Sequence, residues 1–400
     1  MKKYDFDTVP SRRNTGSLKF DFARERGKPD DILPLWVADM DFRIPDEVVE
    51  ALVEVARHGI FGYTDTKQDY FDAVAQWFSH GFGYAPEPDW LVKTPGVVYA
   101  IAMALRAFTT EGDAVMIQEP VYYPFSAVIR SNGRRLVSNE LVYAQGRYGI
   151  DLADFERKLI DERVRLFVLC SPHNPVGRVW TRDELAAMGD LCLKHGCMIV
   201  SDEIHCDFVY PGHTHTMLPT LSPELARNTI LCTAPSKTFN LAGLQASNIF
   251  IPNPHWRNAF EREMLKTGYS QLNTMGLAAC RSAYIHGRPW LEQLKAYVKG
   301  NLDFLRDFVE TRLPRIRLIE PEGTYLVWLD FSALGMSPAA LDEWVVNRAR
   351  LWLDDGPIFG RGGAGFQRIN IACPRATLQT ALKKLETAMQ SVSGVFRFSD

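Results

Sequence analysis

Between about residues 46 and 285, short apolar runs rich in β-branched residues alternate with stretches of helical period. That alternation leaves a chain few ways to fold, because strands joined through helices line up parallel in one sheet with the helices on its faces. AVMIQEP (114–120), RLFVLCSP (165–172), CMIVSDE (197–203) and TILCTAP (229–235) read as buried strands, and ASNIFIPNP (246–254) as one more. The connecting segments carry their own punctuation. PDEVVEALVEVARHG (45–59) places Val48, Val49, Leu52, Val53 and Ala56 on one helical face and stops at Gly59. TRDELAAMGDLCLKHG (181–196) opens with Thr181 and Glu184 spaced for a capping box, repeats Leu185, Met188, Leu191 and Cys192 helically, and ends at Gly196.

After residue 285 the pattern changes. A long amphipathic segment, WLEQLKAYVKGNLDFLRDFVETRL, precedes the strand TYLVWLDF, the helix AALDEWVVNRARL, the Gly-rich FGRGGAGF, the strand QRINIAC and a last helix. The expected organisation is an irregular N-terminal arm (1–45) that wraps another surface, a large α/β domain (46–285) with a mostly parallel sheet, and a smaller α+β domain (286–400).

Composition narrows the function classes. A formal charge of −3 over 400 residues gives no electrostatic reason to expect nucleic acid or an anionic membrane. The opening MKKYDFDTVPSRRN has no apolar stretch of a leader, and no apolar run is long enough to span a bilayer, so a cytoplasmic enzyme is expected. The seven cysteines are scattered, with no CxxC, as reduced buried thiols are. No metal is expected: His213 and His215 in HTHT have no third ligand nearby in sequence.

In open α/β sheets, ligands bind beyond the carboxyl ends of the strands. Unusual chemistry falls at that position four times: PVYYPF after the first strand, SPHNPVG after the second, DEIH after the third and SK after the fourth. Lys237 poses the sharpest question, since an ammonium is costly at the mouth of a buried strand unless paired or neutralised. Turn chemistry alone accounts for Asn174-Pro175, and helix capping for a strand-end carboxylate; it is the convergence that argues for a site. VKTPGVVYAIAMALRAF (92–108) adds a Pro-Gly turn before an apolar helix, with the N–H groups of Gly96, Val97 and Val98 suited to a phosphate. Neither GxGxxG nor GxxxxGK[ST] is present, so a dinucleotide or nucleoside triphosphate site is not indicated. A phosphate seat, an aromatic plate, an amide, a buried carboxylate and a lysine together suit pyridoxal 5′-phosphate, whose aldehyde needs a lysine and whose ring nitrogen needs an acid.

These motifs are also familiar as a set. SPHNPVG, DEIH and SKTFNLAGL resemble the fold-type I aminotransferase superfamily over about residues 30 to 390. LPLWVADMDF, FGYT, DEIHCDF and FGRGGAGFQRINIACP resemble its MalY/PatB branch, the cystathionine β-lyase type of carbon–sulfur lyases. The resemblance implies that Lys237 holds the cofactor covalently and acts as the catalytic base, that Asp202 faces the ring nitrogen and Asn174 the 3-oxygen, and that Tyr122 stacks on the ring. Gly96, Val97 and Val98 would take the phosphate, with Ser236 adding a hydroxyl. His205 stands where aminotransferases usually carry a tyrosine, a modest argument for the lyase reading. Arg368 would grip the substrate carboxylate, and Tyr63 would reach the cofactor phosphate of a second subunit, which implies a homodimer. Two departures matter: many relatives have an arginine where this chain has Gln245, and a serine where it has Ala234. Trp36, Tyr123 and Phe359 are candidate pocket liners. The implied reaction is α,β-elimination from L-cystathionine, L-cysteine or related S-conjugates to a thiol, pyruvate and ammonia. The rival is an aminotransferase acting with a 2-keto acid, and a transcription-regulating interaction is a third reading.

Overall fold

The computed structural model describes residues 2–395; the last five residues of the expected C-terminal domain lie outside the described residues. Seven strands form the principal sheet: β1 (Leu91–Thr94), β2 (Ala114–Ile117), β3 (Arg135–Ser138), β4 (Val164–Cys170), β5 (Met198–Asp202), β6 (Thr229–Thr233) and β7 (Ser247–Phe250). They lie in the order β1-β7-β6-β5-β4-β2-β3. All pairings are parallel except those of β7, which runs antiparallel between β6 and β1. Every residue of β2 and of β6 is buried, as expected of strands covered on both faces. The register sets Cys170, Asp202 and Cys232 side by side at the carboxyl ends of three neighbouring strands.

The helix Arg182–Lys194 has the expected reciprocal cap: Glu184 N–H donates to Thr181 Oγ1 at 3.2 Å, and Thr181 N–H donates to Glu184 Oε2 at 2.8 Å. The helix Asp46–His58 ends at Gly59 in the left-handed conformation (φ 72°). Its apolar stripe is less covered than its spacing predicts. Only Val48 is fully buried and Ala56 is exposed, because the helix packs chiefly on one neighbour, Thr274–His286.

The C-terminal part carries an antiparallel four-stranded sheet in the order Arg317–Leu318, Leu326–Asp330, Phe366–Asn370, Asp354–Asp355. Residues 2–45 contain no α-helix and are bound to this part of the molecule. Leu33–Pro34 pairs in parallel with Leu351–Trp352, and the Phe6 ring packs edge-on against Phe42 at 5.2 Å and Trp290 at 5.9 Å. One hydrophobic cluster runs from Phe78 and Phe250 to Val298 and Leu382, across residue 285. In FGRGGAGF, Gly360 has φ 98° and backs onto Glu119, whose Oε1 would lie 2.1 Å from an added Cβ. No other residue fits that close approach without displacing Glu119.

Candidate active site

β6 ends at Thr233, and a single helical turn, Pro235–Thr238, lifts Lys237 over the carboxyl edge of the sheet. Its Nζ donates to the Ala38 carbonyl at 2.8 Å. Burial lowers the amine to a pKa of about 8; Asp39 and Asp202 pull it up, and Arg368 pushes it down. Near neutral pH a usable fraction of this amine is therefore unprotonated, which answers how the lysine tolerates its place.

Asp202 closes β5 and is buried. Its Oδ1 accepts the Ile204 N–H at 3.1 Å, and it has no ion pair within the described residues. Burial raises it to about 7, against the pull of Lys237. A carboxylate in that condition lacks a cation. Both residues line one cavity of about 200 Å³, together with Gly96, Val97, Val98, Tyr122, Asn174, His205 and Ser236. Ten of the eleven residues expected at the site thus converge, Arg368 through its bond to Asn174.

Gly96 is the N-cap of the helix Val97–Phe108 and supplies no side-chain cap, so the first N–H groups of that helix are left for another acceptor. His205 is buried with Nδ1 unpartnered, and burial holds its pKa well below the usual value, so the ring is neutral. Burial likewise raises the Tyr122 phenol, which stays protonated. Asn174 Oδ1 accepts from Arg368 Nη1 at 2.9 Å, which turns the amide's donor end to other use.

Arg368 is itself buried on the strand Phe366–Asn370. Its Nη2 donates to the Trp36 carbonyl at 2.8 Å and pairs with Asp354, while Phe359 lies 4.9 Å beneath the guanidinium. Nε has no partner among the described residues. Trp36, Tyr123 and Phe359 do not line the cavity; they gather around this guanidinium, with Tyr123 edge-on to Phe359 at 6.0 Å and Trp36 stacked on Trp352 at 4.6 Å. Tyr63 stands apart, 99% exposed on the segment after Gly59. Gln245 is exposed and Ala234 buried, and neither lines the cavity.

Three contributors escaped the sequence reading. The Ala38 carbonyl orders Lys237, the Tyr325 hydroxyl shares that carbonyl at 3.1 Å, and Asp354 balances Arg368. The only signal for the first was the run LPLWVADMDF, whose relevance is in its backbone. Pyridoxal 5′-phosphate, the group expected from the sequence, fits what is present: a partly neutral amine, a buried carboxylate without a cation, and an uncapped helix N-terminus in one cavity. Among the described residues no group of His, Cys, Asp or Glu is arranged to hold a metal ion.

Comparison with known proteins agrees with this geometry. The sequence pattern of the family "Aminotransferase class I and II" matches residues 30–385. The chain is 44% identical over 385 residues to "Cystathionine beta-lyase PatB" of Bacillus subtilis, covering 96% of this chain and 100% of that protein. It is 33% identical to "Protein MalY" of Escherichia coli, covering 97% and 100%. Among solved structures, cystalysin from Treponema denticola, which contains a pyridoxal 5′-phosphate cofactor, superposes with a TM-score of 0.95 at 40% identity, covering 98% of this chain and 100% of that one. A PLP-bound C-S lyase from Staphylococcus hominis gives 0.91 at 30% identity, covering 97% and 98%. With a lysine and a carboxylate facing one cavity at the carboxyl edge of the sheet, and a match over nine-tenths of its length, this chain belongs to the aminotransferase class I and II family.

Proposed function

We propose that the protein is a pyridoxal 5′-phosphate-dependent carbon–sulfur β-lyase that releases a thiol, pyruvate and ammonia from L-cystathionine and related S-substituted cysteines. The observation that carries the reading is the pairing of a lysine of lowered pKa with a buried, unpaired carboxylate across one cavity, in a chain whose relatives are named as such lyases.

The bound cofactor supplies an electron sink that stabilises negative charge on the substrate α-carbon. The protein does the rest. Asp202 would face the ring nitrogen of the cofactor and hold a proton there. The N–H groups at Gly96, Val97 and Val98 and the Ser236 hydroxyl would hold the phosphate, Tyr122 would cover the ring, and Asn174 would donate to the 3-oxygen. Arg368 holds the substrate carboxylate, and its pre-made bonds to Asn174, Asp354 and the Trp36 carbonyl fix the guanidinium before substrate arrives. Lys237 Nζ removes the proton from the α-carbon, the step that a lowered pKa favours at neutral pH. His205 is neutral and provides polar contact without a competing charge.

The second-subunit role of Tyr63 belongs to the same proposal. It is supported by the exposure of Ile60, Phe61 and Tyr63 on one short segment, beside a cleft of about 1070 Å³.

Incubation with L-cystathionine and no keto acid is expected to yield pyruvate, and Lys237→Ala to lower the rate at least ~10²-fold with loss of the visible absorbance of the loaded protein. Turnover that appears only when a 2-keto acid is supplied would replace the lyase with an aminotransferase.

A further inference from the structure

Ala38 forms part of the cavity wall, and the N-terminal arm holds the segment that carries it by charge. Arg12 Nη2 binds Asp39 Oδ2 at 2.5 Å, and its Nη1 binds Asp41 Oδ1 at 2.8 Å. Lys19, fully buried, binds Asp41 Oδ2 at 2.8 Å and approaches Asp39 Oδ1 to 3.6 Å. Two cations thus meet two carboxylates that flank Met40. A clamp whose only task was to fasten the arm would satisfy every acceptor of its acids, since a buried oxygen without a hydrogen bond is costly. Both oxygens of Asp41 accept hydrogen bonds, but Asp39 accepts at Oδ2 alone: its Oδ1, 3.6 Å from Lys19, is buried without a hydrogen bond. The residue before it, Ala38, offers the carbonyl that receives Lys237 Nζ.

The charged groups that act on Lys237 are Asp39, next to Ala38 in the chain, Arg368 on the strand Phe366–Asn370 and Asp202 at the end of β5. Asp39 exerts the larger attraction of the two acids, while His205 and Tyr122 are held neutral by burial. Arg12 in turn takes up part of the charge of Asp39.

We propose that Arg12 and Asp39 are a positioning pair for the active-site nitrogen: Asp39 is its working countercharge, Arg12 limits that charge, and together they keep the Ala38 carbonyl on Lys237. The arm therefore takes part in the chemistry without touching substrate. The inference rests on the proposed reading of the site, so its test has one arm that needs the cofactor and one that does not.

In the loaded protein, the visible absorbance is titrated with pH for wild type, Arg12→Gln, Arg12→Lys and Asp39→Asn. Removing the arginine leaves the charge of Asp39 less compensated, so the midpoint for Arg12→Gln should rise by about one pH unit. Asp39→Asn should lower it by a similar amount, and Arg12→Lys should stay near wild type. In the cofactor-free protein, the pH dependence of labelling of Lys237 by fluorodinitrobenzene, followed by peptide mass analysis, should give midpoints in the same order. Arg12→Gln and Asp39→Asn midpoints that coincide, or move in the same direction, would overturn the inference and leave a purely structural clamp. The isosteric Asp39→Asn keeps the test decisive if Arg12→Gln folds poorly: no downward movement there is enough to reject it. A protein that takes up no cofactor, yet keeps the labelling order, would refute the proposed function and uphold the pair.

Discussion

Asp202 is held by folding in a state it would not choose in water. Burial raises it to about 7 from an ordinary 3.8, so between those values the folded chain keeps a proton that the unfolded chain gives up. Its contribution to stability is therefore whole below about pH 4 and is lost as pH rises to 7. For the cofactor-free protein, Asp202→Asn should be stabilising at pH 8 by a few kcal/mol, at roughly 1.4 kcal/mol per pH unit, and the gain should vanish near pH 4. Urea unfolding at the two pH values reads this directly. Residue-level legibility followed chemistry that shows in the one-letter code. Lys237, Asp202 and Asn174 stood out because charged or amide side chains ended apolar strands. Ala38 did not, since a carbonyl belongs to every residue, and Asp354 did not, since its partner Arg368 lies fourteen positions away with two turns between.

The turn that carries Lys237 is four residues long and cannot hold itself in place. A buried carboxylate from the earlier motif DEIHCDF steadies it. Asp207 Oδ2 accepts the Thr238 hydroxyl at 2.7 Å and the Trp77 indole N–H at 3.3 Å, and burial raises its pKa. Thr238→Val should therefore cost about 1–3 kcal/mol by leaving Asp207 short of a donor, measurable as a lower urea midpoint at unchanged slope. The sequence announced elements with strong punctuation, such as the capped helix Arg182–Lys194. It was silent on the hairpin Val142–Ala144 with Arg147–Gly149 and on the edge strand β3, which are short and partly exposed. The reversed direction of β7 was equally hidden, because an apolar run has no arrow.

Across the whole molecule, the uneven covering of Asp46–His58 and the exposure of Ile60 (71%), Phe61 (60%) and Tyr63 (99%) mark one side as unfinished in a single chain. If that side meets a second copy, as proposed, light scattering should give twice the mass of one chain, and Phe61→Asp should shift the equilibrium toward single chains. The same variant should weaken cofactor retention, because Tyr63 would no longer reach the neighbouring site.

Trp36 and Ala38, two positions apart, present their carbonyls to Arg368 and to Lys237 respectively. With the proposed roles, the grip on the acid and the nitrogen that takes the proton hang from a single short piece of backbone. On those roles, a ligand whose acid and amine are wrongly spaced is expected to strain the backbone that joins the two carbonyls. Discrimination among substrates would then begin before any sulfur is examined.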